Sequence, residues 1–154
     1  MAFILVKRRH AAIIAACLMG LGLSQAHGDG KAADAALSLP PEIVGVTWEW
    51  LGLQTPKDQI EVADPASYSV TFAEDGSMAL QVDCNRGFGR YTVSADSRIS
   101  IKPIGATRMM CPEGSLDQQF AINLERVGSF FLLDGELLLE QPFDSGTMRF
   151  RAAD

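Results

Sequence analysis

The chain has 154 residues, which is room for one domain of ordinary size. Its formal net charge is −6 at pH 7, from 19 acidic and 13 basic residues. A net negative charge disfavours nucleic acid and anionic lipid headgroups as partners.

The first 26 residues have the layout of a secretory signal peptide. Residues 7–9 are basic, residues 11–23 are almost entirely apolar, and Ala26 ends a small-residue cleavage site. The apolar run is shorter than the roughly 18 residues of a spanning helix, so no transmembrane span is predicted. Cleavage after Ala26 would leave 10 basic and 19 acidic residues, a net charge of −9.

A lipoprotein signal is the alternative for this segment. The sequence Ile14-Ala15-Ala16-Cys17 resembles a lipobox, in which Cys17 would be lipidated and become the N-terminus. The apolar run continues past Cys17 to Leu23, which favours Cys17 as part of the signal core. Cleavage after Ala26 predicts a periplasmic or secreted protein.

Residues 27–42 are small, polar and Pro-terminated, which predicts a flexible linker ahead of one domain at 43–152. Alternating apolar residues from Val44 to Trp50 predict the first strand, and a polar loop follows at 54–66. Alternation and turn residues then predict three hairpins and a last strand at 147–151. The hairpin turns are expected at 74–76, 95–97 and 134–135.

One helix interrupts the predicted strands. Leu116, Phe120, Leu124 and Val127 are spaced four, four and three apart, which gives one apolar stripe on a helix of three to four turns. Ser115 with Gln118 fits a capping box at its start. About eight short strands and one helix predict a β-rich α+β fold, a curled antiparallel sheet or open small barrel with one packed helix.

Two cysteines, Cys84 and Cys111, remain after the predicted cleavage. In an oxidising compartment such a pair is most simply a disulfide, closing a loop of about 28 residues and contributing roughly 3 to 4 kcal/mol. A redox-active pair is the alternative, but the Cys-x-x-Cys spacing is absent. We interpret VDCNRGFGRY as a tight chain reversal after Cys84, with Asn85 in left-handed backbone and Phe88 turned inward.

The sequence offers little for catalysis. His27, in the linker, is the one histidine after cleavage, so no Ser-His-Asp or Cys-His arrangement is predicted in the domain. The acidic residues of 58–64 lack the calcium-loop pattern, and no zinc ligand cluster is present. No catalytic residue, metal site or cofactor is therefore predicted. A hydrolase working with acidic residues alone would need two carboxylates converging in one cleft.

The residues from Cys84-Asn85 to Gly89-Arg90-Tyr91, followed by Thr107-Arg108-Met109-Met110-Cys111-Pro112, resemble the META domain of bacterial heat-shock HslJ-like proteins. Trp48-Glu49-Trp50-Leu51, Ile99-x-Ile101, Gly135-x-Leu137-x-Leu139 and Met148-Arg149-Phe150 also match. The resemblance implies a small exported, non-enzymatic domain linked to stress responses. Its motif residues transfer as fold markers: Asn85, Gly87, Gly89, Tyr91, Thr107 and Pro112.

The leading hypothesis is an accessory protein that binds an envelope protein or peptide as a monomer. An exposed aromatic patch would carry this binding, and the candidates are Trp48, Trp50, Phe88, Phe130 and Phe131. The alternative is a carrier that encloses a small apolar ligand in a barrel cavity.

Overall fold

The computed structural model describes residues 38–154, apart from the side chains of residues 103 and 104. The predicted signal peptide, Cys17 and most of the linker therefore lie outside the described residues. Near the end of the linker, Leu39 is buried and the Ile43 N–H donates to the Pro40 carbonyl at 2.9 Å. None of the helices in this range has the length and apolar character that a bilayer crossing requires.

Nine strands and one α-helix organise the described chain. In order they are β1 (Thr47–Gln54), β2 (Gln59–Glu61), β3 (Tyr68–Phe72), β4 (Ser77–Val82), β5 (Asn85–Ser94), β6 (Arg98–Ala106), α1 (Asp117–Glu125), β7 (Ser129–Leu133), β8 (Glu136–Glu140) and β9 (Thr147–Ala152). Single 3₁₀ turns lie at Pro65–Ser67 and Pro142–Asp144. The strand that sequence alternation missed is β2, whose three residues fall inside the predicted polar loop.

The strands form one antiparallel sheet that closes into a barrel. From β3 to β9 each strand pairs with the next, and β9 pairs with β1, where Trp50 lies opposite Phe150. Eight strands, β1 and β3 to β9, form the barrel wall. The short strand β2 pairs with residues 52–54 of β1, whereas β3 pairs with residues 47–49. The predicted β-rich fold with one packed helix is confirmed, and the barrel is closed.

The three predicted hairpins are confirmed as β3–β4, β5–β6 and β7–β8. Their turns carry the positive φ angles that short hairpin loops require. Gly76 has φ 77°, Asp96 has φ 62°, and the Asp134-Gly135 pair has φ 51° and 83°. Local turn chemistry therefore sets the pairing register of six of the eight wall strands, two in each hairpin.

The helix packs its apolar side into the barrel. Phe120 and Leu124 are fully buried, and the Phe120 ring centroid lies 5.2 Å from that of Trp50, 5.9 Å from Tyr68 and 6.4 Å from Phe150. These rings come from β1, β3 and β9, so one helical side chain contacts strands that are remote from the helix in sequence.

The start of α1 differs from the predicted capping box. The N-cap position is Leu116, whose N–H donates to the Tyr68 hydroxyl at 2.9 Å. Ser115 Oγ accepts from the Asp117 N–H at 3.3 Å, and Asp117 accepts from the Gln118 N–H. The helix is also shorter than predicted, at nine residues, and it ends before Val127, the last residue of the predicted apolar stripe.

Candidate functional site

The β4–β5 turn and the chain between β6 and α1 meet at one disulfide. Cys84 is bonded to Cys111, as predicted, with the Cα atoms 5.4 Å apart. The turn itself consists of Asp83 and Cys84, because Val82 and Asn85 pair across it. The disulfide therefore joins a hairpin turn to the segment that leads into the helix.

Asn85 holds this segment, residues 107–111, through its buried side chain. It is 3% exposed, and its Oδ1 accepts from Thr107 Oγ1 and from the Met109 N–H, both at 2.8 Å. Its Nδ2 donates to the Met109 carbonyl at 3.2 Å and lies 3.1 Å from the Cys111 sulfur. One amide thus satisfies several polar groups of the segment at once.

The structure corrects the predicted conformation of VDCNRGFGRY. The left-handed residue is Asp83, with φ 56°, whereas Asn85 begins β5. Gly87 and Gly89 pair with Leu80 and Met78 in the β4–β5 ladder and do not reverse the chain. The stretch is one continuous strand after a two-residue turn.

Phe88 points outward, which corrects the expectation that it turns inward. Its side chain is 70% exposed, while Asn85 and Tyr91 on the same strand are buried. Residues an odd number apart on a strand face opposite sides of the sheet. Phe88 and Tyr91 are three residues apart. If β5 is treated as one strand with Tyr91 in the core, this spacing predicts an exposed Phe88.

Both tryptophans of the predicted patch are core residues, and this corrects that part of the prediction. Trp48 is 2% exposed and donates through Nε1 to the Ile43 carbonyl at 3.0 Å. Trp50 is fully buried and donates to the Gly52 carbonyl at 2.8 Å. Phe130 is also buried, and Phe131 is 44% exposed on β7.

The remaining motif residues make structural contacts. The Thr107 N–H donates to the Arg86 carbonyl at 3.0 Å, and Thr107 Oγ1 accepts from the Arg86 N–H. The Tyr91 hydroxyl donates to the Ala73 carbonyl at 2.6 Å. The Pro112 carbonyl accepts from the Ser115 N–H just before α1.

A cleft of about 450 Å³ lies between the end of β6 and α1, and Phe88 adjoins one of its lining residues, Gly105. The Phe88 ring lies across Gly105, where a Cβ atom would come within 2.9 Å of the ring. Gly105 also lines the cleft, and Ile122, 50% exposed, lines it from the helix. We call the Phe88 ring and this cleft the Phe88 surface. It combines an exposed apolar wall with a backbone fixed by strand pairing and by Asn85.

Two methionines extend the apolar character of this region. Met109 is 59% exposed and Met110 is 99% exposed, although the backbone of Met109 is held by Asn85. Exposed methionine side chains are adaptable apolar contacts and are common on protein-binding surfaces. The segment therefore presents flexible side chains on a fixed main chain.

The titratable groups near the β3–β4 turn do not form an acid–base pair for neutral pH. Hydrogen bonds from the Ser77 hydroxyl and N–H, with the charge of Arg90, lower the pKa of Asp75. Burial, with the charges of Asp75 and Glu74, raises the pKa of Tyr91. Each shift moves the pKa away from neutrality, whereas a general acid–base catalyst needs a pKa near the working pH.

A second cleft, of about 420 Å³, is lined by carboxylates from the end of β2, the β2–β3 connection, the β4–β5 turn and the approach to α1. They are Glu61, Asp64, Asp83 and Glu113. Asp64 accepts a hydrogen bond from the Ser67 hydroxyl at 2.7 Å. Within residues 38–154, no three cysteine, histidine or acidic residues are grouped to hold a metal ion.

The barrel interior is filled by side chains where a small apolar ligand would have to lie. Trp50, Phe72, Phe120 and Phe150 are fully buried there. Phe120 touches rings from three strands, as described above. The packing therefore does not support a carrier that encloses a small apolar ligand, and the Phe88 surface is the better candidate for a binding site.

Comparison with known proteins identifies a family. The family model described as META domain matches residues 41–154. A DUF4847 family protein from Bacteroides vulgatus is similar in structure, with a TM-score of 0.51, 14% identity, and coverage of 71% of this chain and 93% of that one. A second protein, solved by NMR, has a TM-score of 0.55, 20% identity, and coverage of 77% and 97%. At these identities the likeness concerns the fold. No curated protein sequence matches.

Proposed function

The chain belongs to the META domain family, and on that premise we propose that it is a non-enzymatic binding protein of the cell envelope, acting through the Phe88 surface. The partner is a protein or peptide with exposed apolar side chains. We place this role in the stress response to which the family resemblance points. The exposed Phe88 ring is the observation that carries the proposal. An outward phenylalanine on a paired strand leaves a large apolar side chain in contact with water, which is unfavourable for the isolated protein and is relieved when a partner covers the ring.

The position of this ring supports a binding role over an accident of packing. On the opposite face of β5 the side chains of Asn85 and Tyr91 are buried, and the outward neighbours of Phe88 on β5 are Arg86 and Arg90, which are exposed. Gly105 beneath the ring provides one flat contact and leaves the other face open. An aromatic side chain with one open face loses little entropy on binding and gains a large contact area.

Titration of the isotope-labelled protein with a permanently unfolded, carboxymethylated protein tests the proposal. We expect ¹H–¹⁵N shift changes at Phe88, at 105–108 and along α1. The variant F88S should lose these changes. F143S is the matched control, because Phe143 is fully exposed between β8 and β9. Shift changes that persist in F88S, or that centre elsewhere, would contradict the proposal.

Export is the second part of the proposal. A structural disulfide between Cys84 and Cys111 supports an oxidising location, because cytosolic thiols are kept reduced. Intact mass measurement of the protein from its producing cells tests this directly. We expect a chain that begins at His27 and gains two hydrogens on reduction. A chain that begins at a lipidated Cys17 would replace the soluble form with a membrane-anchored one.

A further inference from the structure

The outer surface of β4, β5 and β6 is basic, although the whole chain carries a net charge of −6. The three strands contain no aspartate or glutamate. Their cations are Arg86, Arg90, Arg98 and Lys102. We call the outward side of these strands the basic face. Phe88 lies within it, between Arg86 and Arg90 on β5.

Within residues 38–154, none of the four cations of the basic face forms an ion pair, a property that they share with Lys57, Arg108 and Arg126. Among residues 38–154 two ion pairs form, Arg149 with Glu136 and Arg151 with Glu49, each at 2.9 Å and each away from β4–β6. Arg90 donates to the Asp75 carbonyl and lies near the Asp75 carboxylate.

Two cations of the face oppose each other in the sheet. Arg90 and Lys102 are direct cross-strand partners between β5 and β6, and both are exposed. Like charges directly opposite each other destabilise a sheet. An anionic ligand that bridged them would remove this repulsion, so the arrangement favours the bound state.

The spacing of the face suits an extended ligand. Arg86, Phe88 and Arg90 occupy alternate positions of β5, so their side chains share one face at intervals of about 7 Å. A peptide in extended conformation repeats its side chains at the same interval. Carboxylates two residues either side of an apolar residue would therefore reach Arg86 and Arg90 while the apolar residue packs on Phe88.

We propose that the basic face binds an extended acidic segment of a protein, with its carboxylates on Arg86, Arg90 and Lys102 and an apolar side chain on Phe88. The inference rests on the proposed function and adds the chemistry of the partner. An extended peptide segment is narrow enough to contact the basic face without contacting the residues around it. A flat anionic membrane would also approach Glu74 and Asp75, which adjoin Arg90. Repulsion from these carboxylates disfavours the membrane.

The test measures fluorescence anisotropy of a labelled peptide that repeats Glu-Ser-Leu-Ser, so that glutamate and leucine side chains alternate along one face of the extended chain. A peptide that repeats Gln-Ser-Leu-Ser serves for comparison, and each peptide is added to the protein purified from its producing cells. The variant R86E/K102E reverses two charges of the face. K57E/R126E is the matched control, because it exchanges the same residue types at exposed positions outside β4–β6. We expect affinity for the acidic peptide to fall by about tenfold or more in R86E/K102E and to change little in the control.

The outcomes separate the two proposals. Equal binding of both peptides, unaffected by R86E/K102E but lost in F88S, would overturn the acidic-partner inference and leave the proposed function standing. Binding that F88S does not weaken would overturn the role of Phe88. Binding to vesicles of anionic phospholipid that depends on Arg86 and Lys102, without peptide binding, would overturn the inference in favour of a lipid surface.

Measuring the Tm of the variants tests whether a loss of binding results from unfolding. K102E places a carboxylate opposite Arg90, which exchanges a repulsive cross-strand pair for an attractive one. We expect the Tm of K102E to equal or exceed that of the wild type while its affinity for the acidic peptide falls. A lowered Tm in K102E would contradict the repulsion on which the inference depends.

Discussion

Asn85 is the residue on which the conformation of segment 107–111 depends most directly. Replacing it with alanine removes the acceptor of the Thr107 hydroxyl and of the Met109 N–H, leaves both donors without this partner in a part-buried contact, and empties the buried site of the Asn85 side chain. A buried polar group without a partner costs about 1 to 3 kcal/mol, and more than one group is affected here. We expect N85A to lower the free energy of unfolding by about 2 to 4 kcal/mol, measured by urea denaturation.

The control for Asn85 is on the same strand. S94A alters an exposed side chain at the other end of β5 and should change the free energy of unfolding by less than about 0.5 kcal/mol. If N85A were as mild as S94A, the hydrogen bonds of Asn85 would not be what fixes the segment.

Tyr91 gives the stability an alkaline pH dependence. Burial and nearby negative charges raise its pKa above the ordinary 10.0, so the unfolded chain releases the phenol proton at lower pH than the folded one. The stability from this group is present below about pH 10 and is lost as pH rises through the raised folded pKa. We expect urea denaturation between pH 8 and about 11 to show a steeper decline for wild type than for Y91F. Parallel profiles would contradict the assignment to Tyr91.

At the scale of elements, the disulfide between the β4–β5 turn and the approach to α1 has the clearest energetic consequence. Its cysteines are 27 residues apart, and closing such a loop restricts the unfolded chain by about 3 to 4 kcal/mol. We expect C84S/C111S to melt roughly 10 °C below the oxidised wild type. Wild type with reductant is the matched control and should melt with the double variant. An unchanged Tm would show that the bridge is not structural.

The elements also show how far local sequence determines this fold. The Asp134-Gly135 turn lies between two apolar runs, 130–133 and 137–139, and these local signals predict the β7–β8 hairpin that the structure shows. Leu116 became the N-cap of α1 because Tyr68, 48 residues away, supplies a hydroxyl to its N–H. Short-range signals cannot reveal such a partner.

The candidate site was harder to predict for the same reason. Asn85 is a common turn residue, but here the turn falls on Asp83 and Cys84, and Asn85 enters the core. Because β5 begins at Asn85 with that side chain buried, Phe88, three residues further on, faces outward. The cysteine pair was predictable from composition and compartment, whereas the cleft beside Phe88 needs the packing of α1 against β6.

At the scale of the whole molecule, the net charge of the chain is negative, whereas the local charge of the basic face is positive. The carboxylates that line the second cleft lie by the β4–β5 turn, whereas β4–β6 carry cations without acids. Surface charges farther apart than about 8 Å are largely screened at physiological salt, so a ligand at the basic face experiences mainly the local cations. The prediction against nucleic acid and anionic lipid headgroups rests on the average charge of the chain, whereas the proposed acidic segment would respond to the local charge of the basic face.

Barrel and helix form one cooperative unit through Phe120. Its ring is fully buried and contacts rings on β1, β3 and β9, so shortening it opens a cavity in the centre of the core. We expect F120A to lower the free energy of unfolding by about 3 to 5 kcal/mol, a large share of the 5 to 15 kcal/mol typical of a domain. I122A, half-exposed on the same helix, is the matched control and should be far milder.

Following the unfolding of F120A with two spectroscopic signals tests whether α1 is part of the cooperative unit. Trp50 lies 5.2 Å from Phe120, so its fluorescence reports the contact between helix and barrel, while circular dichroism reports the strands. Because the same ring joins α1 to three strands, both signals should change at one urea concentration in wild type and in F120A. Fluorescence that changes at lower urea than the strand signal would mean that α1 detaches from a barrel that stays folded without it.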